Sequence, residues 1–80
     1  MRGIIEVHDL STGGVVGVNV GQVEFYKPMK DGGGADACQL RFRSGNIVEV
    51  KEPIGQVLAA AAKASQNLSR PVRAWETVAS

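Results

Sequence analysis

A single cysteine, Cys38, denies this chain any internal disulfide. Aromatic residues are nearly as scarce. Two phenylalanines, one tyrosine and one tryptophan leave the core to aliphatic side chains. An excess of charge of either sign is missing too: nine basic and eight acidic side chains leave a formal net charge of +1. That balance excludes a protein drawn to nucleic acid or an anionic membrane by its overall field and leaves only a local basic patch. No apolar run approaches a membrane span or a signal-peptide core after Met1, so a cytoplasmic location without membrane contact is expected. Eighty residues suffice for one domain, but its small core leaves a thin margin over chain entropy, which oligomerisation would widen.

What is abundant is glycine, ten residues gathered where turns are expected, between segments of period-two alternation. Ile4 to Leu10 reads as a first strand, with Ile5 and Val7 on one face. After the Ser11-Thr12-Gly13-Gly14 turn, Val15 to Val20 continues the pattern. A four-residue loop there sets Val7 opposite Val18, Ile5 opposite Val20 and Leu10 opposite Val15. Gln22 to Lys27 forms a third strand, with Val23 and Phe25 on one side and Glu24 and Tyr26 on the other. Pro28 to Asp36 carries no apolar pattern and three successive glycines, and reads as a mobile connection.

The stretch from Cys38 to Ala64 is the most explicit. Cys38, Leu40 and Phe42 alternate with Gln39, Arg41 and Arg43, and the alternation resumes from Ile47 to Lys51. A loop of Ser44-Gly45-Asn46 places Phe42 opposite Val48, Leu40 opposite Val50 and Arg41 opposite Glu49, with Asn46 in the left-handed conformation. Pro53 suits the first turn of a helix, because its missing N–H would have had no partner there. Ile54, Val57, Leu58, Ala61 and Ser65 then share one helical face, with Leu68 extending it and Asn67 near the stop. The predicted fold is α+β: a five-stranded antiparallel β-meander with one C-terminal amphipathic α-helix packed on one face. Residues 1–69 form that domain, and 70–80 are a tail, or a strand that forms only against a partner.

No motif in the chain carries catalytic, metal or cofactor chemistry, so the expectation is no enzyme, no cofactor and no metal. His8 and Asp9 are adjacent in a strand and point to opposite faces, which favours a surface histidine over an acid–base pair. Cys38 falls on the core face, where a free thiol behaves as a small hydrophobe. Lys30-Asp31-Gly32-Gly33-Gly34 lacks the spacing of a phosphate-binding loop and reads as a mobile linker, with a ligand or partner loop as the alternative. Arg41, Arg43 and Lys51 suggest a basic patch, yet Glu49 among them favours a self-compensated, solvated face. Tyr26 and Trp75 are large aromatics outside the predicted core, suited to anchoring a partner; a Trp75 folded back on the helix is the plain alternative. The candidate partner contacts are therefore Tyr26, Arg41, Arg43 and Trp75. The small side chains of Ala59 to Ala62 and the unpaired meander edges both favour a homo-oligomer.

Residues 4–14 (IIEVHDLSTGG), Val18-Asn19-Val20, Val23 and the run from Ser44 to Pro53 (SGNIVEVKEP) together resemble the small FlbD family associated with bacterial flagellar gene clusters. The resemblance spans about residues 4–58 and excludes the Pro28–Asp36 loop and everything after Leu68. It implies a small non-enzymatic accessory protein and assigns no functional residue. The first expectation is thus a protein-binding or self-assembling accessory module. A nucleic-acid-binding regulator using the arginine face, and a small-ligand binder or inhibitor using the glycine loop, are the alternatives.

Overall fold

The computed structural model describes residues 3–66 and 70–77. Their order is β1 (Ile4–His8), β2 (Val15–Asn19), a 3-10 turn (Val20–Gln22), β3 (Val23–Lys30), β4 (Asp36–Phe42), β5 (Ile47–Val50), α1 (Ile54–Ala64), β6 (Val72–Arg73) and a second 3-10 turn (Ala74–Glu76). The class is α+β, but the single five-stranded meander is corrected: six strands make two sheets, ordered β2-β1-β6 and β3-β4-β5. The turn at Val20–Gln22, capped by the Asn19 side chain accepting from Gly21 N–H, intervenes between β2 and β3. The sheets meet instead where β1 ends. The His8 carbonyl accepts from Lys51 N–H at 2.8 Å, Leu10 N–H donates to the Glu49 carbonyl at 2.8 Å, and Asp9 bridges Val50.

Both hairpins pair in a register shifted by two residues from expectation. In the first, Ile5 faces Val18, Val7 faces Val16 and His8 faces Val15, because Asp9 and Leu10 leave the strand for the contact with β5. In the second, Cys38 faces Val50, Gln39 faces Glu49, Leu40 faces Val48 and Arg41 faces Ile47. The loop there has the expected three residues but is Arg43-Ser44-Gly45. Gly45, at φ +95°, takes the left-handed position assigned to Asn46, since glycine reaches that region without a Cβ clash. Each shift is an even number, so every side chain keeps its face. Ile5, Val7, Val18, Cys38, Leu40 and Val50 are all buried.

Elsewhere the faces do change. A bulge between Val23 and Phe25 turns Tyr26 inward opposite Leu40 and leaves Phe25 outward opposite Arg41, the reverse of the alternation read from sequence. The expected irregular stretch is narrowed to five residues, with Pro28, Met29 and Lys30 in β3 and Asp36 in β4. β3 is an edge strand, a setting in which proline's missing donor need cost no ladder bond. Helix α1 begins at Ile54 with Pro53 as its cap residue, and it buries Val57, Ala60 and Ala64. Leu58 is 45% exposed, and Ser65 also lies outside the contact. The small Ala60 and Ala64 side chains let the chain before β1 approach, and the Ala64 carbonyl accepts from Gly3 N–H at 3.0 Å. Asn67 and Leu68 lie outside the described residues.

The segment after the helix needs no partner to form a strand. Val72 and Arg73 pair in parallel with Ile5 and Glu6 of β1, and Val72 and Ala74 are buried in the same core. A run too poor in apolar residues to stand alone is stabilised by adding to an existing edge. Val78 lies outside the described residues.

Leu40 is fully buried between the sheet and the helix. Leu40→Ala is expected to reduce the free energy of unfolding by about 2–5 kcal/mol, measured by urea denaturation, with a midpoint shift at unchanged slope.

Candidate functional site

The clearest side-chain constellation joins three distant parts of the chain. The end of β1 presents His8, the link between β5 and α1 presents Glu52, and the 3-10 turn after β6 presents Trp75. Glu52 is only 4% exposed. Its Oε1 accepts from the His8 backbone N–H at 2.8 Å and its Oε2 lies 2.6 Å from His8 Nδ1. The contact turns Nε2 away from Glu52, and with Glu52 as a carboxylate, which accepts and never donates, the shared proton sits on Nδ1. The Trp75 indole stacks obliquely on the imidazole, with ring centroids 4.4 Å apart and planes inclined by 49°. Trp75 is held by the burial of Ala74 and by the Thr77 hydroxyl, 2.7 Å from the Ala74 carbonyl and 3.1 Å from that of Gln56 on α1.

An imidazole oriented by a carboxylate is two parts of a general-base arrangement. Among the described residues no hydroxyl or thiol hydrogen-bonds to it. Cys38 is fully buried, and burial pushes its thiol pKa up, away from the thiolate a nucleophile needs. The arrangement therefore acts as a lock that ties the last strand to β1 and satisfies a buried acid. Asp9, the neighbour weighed as partner for His8, faces elsewhere. Its carboxylate accepts from Ser11 Oγ at 2.9 Å and Thr12 Oγ1 at 3.1 Å, which holds its pKa below the ordinary value.

A second candidate is the outer face of β3-β4-β5. The observed registers align Phe25, Arg41 and Ile47 in one row and Lys27, Gln39 and Glu49 in the next. Phe25 is 38% exposed and Ile47 is 52% exposed. Arg41 lies over the Phe25 ring, 5.8 Å from its centroid, and 3.6 Å from Glu24. Gln39 donates to Glu49 at 3.5 Å.

The four candidate contacts do not share one surface. Arg41 and Arg43 lie on the same side of β4, with Arg43 at the turn where its backbone N–H donates to Gln22. Tyr26 packs inward, and burial together with nearby Cys38 raises its phenol pKa. Trp75 belongs to the His8 lock. The expected pairing of Arg41 with Glu49 is replaced by Arg41 with Glu24. In the glycine loop, the Asp31 side chain accepts from Gly33 N–H at 2.8 Å and Ala35 N–H at 2.9 Å. Those donors, which an anionic ligand would need, are already satisfied, and Lys30 pairs with Asp36.

A groove of about 700 Å³ runs between Lys63 and the Arg70–Thr77 segment. Arg73 lies in its wall, 3.4 Å from Glu6 and 3.3 Å from Glu76, so its charge is met within the chain. No sequence signal led to the His8–Glu52 contact, because the partners are 44 residues apart and Glu52 sits in a polar Lys-Glu-Pro run. Among the described residues no cluster of metal-ligating side chains is present, and no helix is long and apolar enough to cross a membrane. No protein-family model matches the chain, and neither the curated proteins nor the solved structures give a match.

Glu52→Ala leaves the His8 N–H without its partner. It is expected to cost about 1–3 kcal/mol and, by loosening His8, to alter the emission of Trp75, the chain's sole tryptophan. Unchanged emission would show that the stack does not depend on the carboxylate. Both Cys38 and Tyr26 have raised pKa values, so the unfolded chain loses these protons at lower pH than the folded one. Stability is expected to fall as pH rises past the ordinary cysteine value and on toward that of tyrosine. Cys38→Ala should remove the lower part of that fall in thermal melts taken across the alkaline range.

Proposed function

We propose that the chain is a small non-catalytic accessory module that binds protein and assembles with copies of itself, in the motility-related setting implied by its resemblance to the FlbD family. The observation that carries this reading is the row of Phe25, Arg41 and Ile47 across an open sheet face. Aromatic and arginine side chains are the usual anchors of protein interfaces, and here an exposed aliphatic side chain completes the row.

The alternatives find less support. A nucleic-acid surface needs cations free to meet phosphates, whereas Arg41, at the centre of this face, has Glu24 beside it. The ligand-binding reading relied on the glycine loop, whose Gly33 and Ala35 N–H groups are engaged by Asp31. Catalysis would need a group for the His8–Glu52 pair to activate.

Sedimentation across the micromolar range is the test. The wild-type chain is expected to self-associate, and Phe25→Ala or Ile47→Ala to weaken association by about 1 kcal/mol or more while Trp75 emission, which reports on the fold, stays unchanged. A strict monomer at high micromolar concentration would refute self-assembly. Titration with DNA and RNA at low and moderate salt should give no binding, and a complex that weakens steeply as salt rises would favour the nucleic-acid reading instead.

A further inference from the structure

We infer that two copies of the chain pack outer sheet face against outer sheet face, about a two-fold axis that runs along β4 in the plane between them. The inference rests on the self-association proposed above and adds the partner, the surface and the residue pairing.

The face is complementary to itself. Across the three strands, the second row carries a cation at the β3 side (Lys27), a neutral amide in the middle (Gln39) and a carboxylate at the β5 side (Glu49). Neighbouring strands are about 4.8 Å apart, so Lys27 and Glu49 sit ~10 Å from one another within a chain and leave each other's charge largely unmet. A two-fold axis along the middle strand carries the β3 side of one copy over the β5 side of the other. Lys27 then meets the partner's Glu49 twice, once on each side of the axis, and Gln39 meets the partner's Gln39. In the first row, Phe25 meets the partner's Ile47, again twice, which covers both exposed apolar side chains of that row. Such an interface is isologous, the commonest kind in homodimers.

Arg41 lies on the axis, where two guanidinium groups would oppose each other. Glu24, at 3.6 Å, and the Phe25 ring, at 5.8 Å, both draw Arg41 toward its own β3 edge. In the dimer the two side chains therefore lean to opposite sides of the axis, each accompanied by a carboxylate. In and beside these two rows Lys27 and Arg41 stand against Glu24 and Glu49, two cations and two acids, so the rows themselves carry no net charge to repel their copy. Two rows across three strands make a small interface, of the kind found in weak association.

The test uses charge reversal and mixing. Lys27→Glu places two carboxylates against each other at each end of the second row, and Glu49→Lys places two ammonium groups there. Each variant alone is expected to dimerise about tenfold more weakly than wild type. In an equimolar mixture, the pairs between the unlike chains are again opposite in charge. Sedimentation and native mass spectrometry are expected to find a heterodimer near wild-type strength. An interaction confined within one chain could not be rescued by mixing. Both positions are exposed, and Trp75 emission checks that each variant is folded. If the wild type dimerises but the mixture gives no heterodimer, this face is not the interface and self-assembly uses another surface. A monomeric wild type at high micromolar concentration would overturn both this pairing and the proposed self-assembly.

Discussion

The architecture depends on the place where the end of β1 meets the end of β5. Two backbone hydrogen bonds, His8 with Lys51 and Leu10 with Glu49, join the two sheets there. One residue further on, Glu52 accepts from the His8 backbone and side chain. Without this seam the sheets would be separate three-stranded ribbons, with the helix as their main bridge. With it, Ile5, Val7, Leu40, Val50 and Val57 form one cluster. Burying a carboxylate is costly, and the cost is offset because its described contacts pair both oxygens in charge-assisted bonds.

The seam also determines the fate of the C-terminal segment. β1 has two edges. One is taken by β2, while the other is shared between β6 near its start and β5 near its end. Trp75 then closes over His8, the residue at which the second edge passes from one neighbour to the other. The single histidine and the single tryptophan of the chain are thereby consumed in organising the fold. The outer face of β3-β4-β5, by contrast, leaves Phe25 and Ile47 partly exposed.

Legibility in the sequence followed the range of the interaction. Period-two alternation placed Ile5, Val7, Val18, Cys38, Leu40 and Val50 on core faces, and they are buried, even though both hairpin registers were displaced by two residues. A displacement of two preserves the faces, whereas the one-residue bulge near Phe25 reversed Phe25 and Tyr26. That single residue matters for the candidate surface, because it sends an aromatic ring outward beside Arg41. On the helix, Leu58 is the larger apolar side chain, yet contact went to Ala60 and Ala64. Periodicity weighs how apolar a position is, while packing against a close neighbour favours what is small.

The sequence by itself determined the first five strands, the helix and the inward face of most strands, because each follows from side chains a few residues apart. Only the tertiary structure decided that the meander divides into two sheets, that Val72 and Arg73 form a strand on β1, and that Glu52 locks His8 beneath Trp75. Those outcomes join residues far apart along the chain, up to 44 positions for His8 and Glu52. No local pattern records such a pairing, since its energy exists only after both partners have been brought to the same edge.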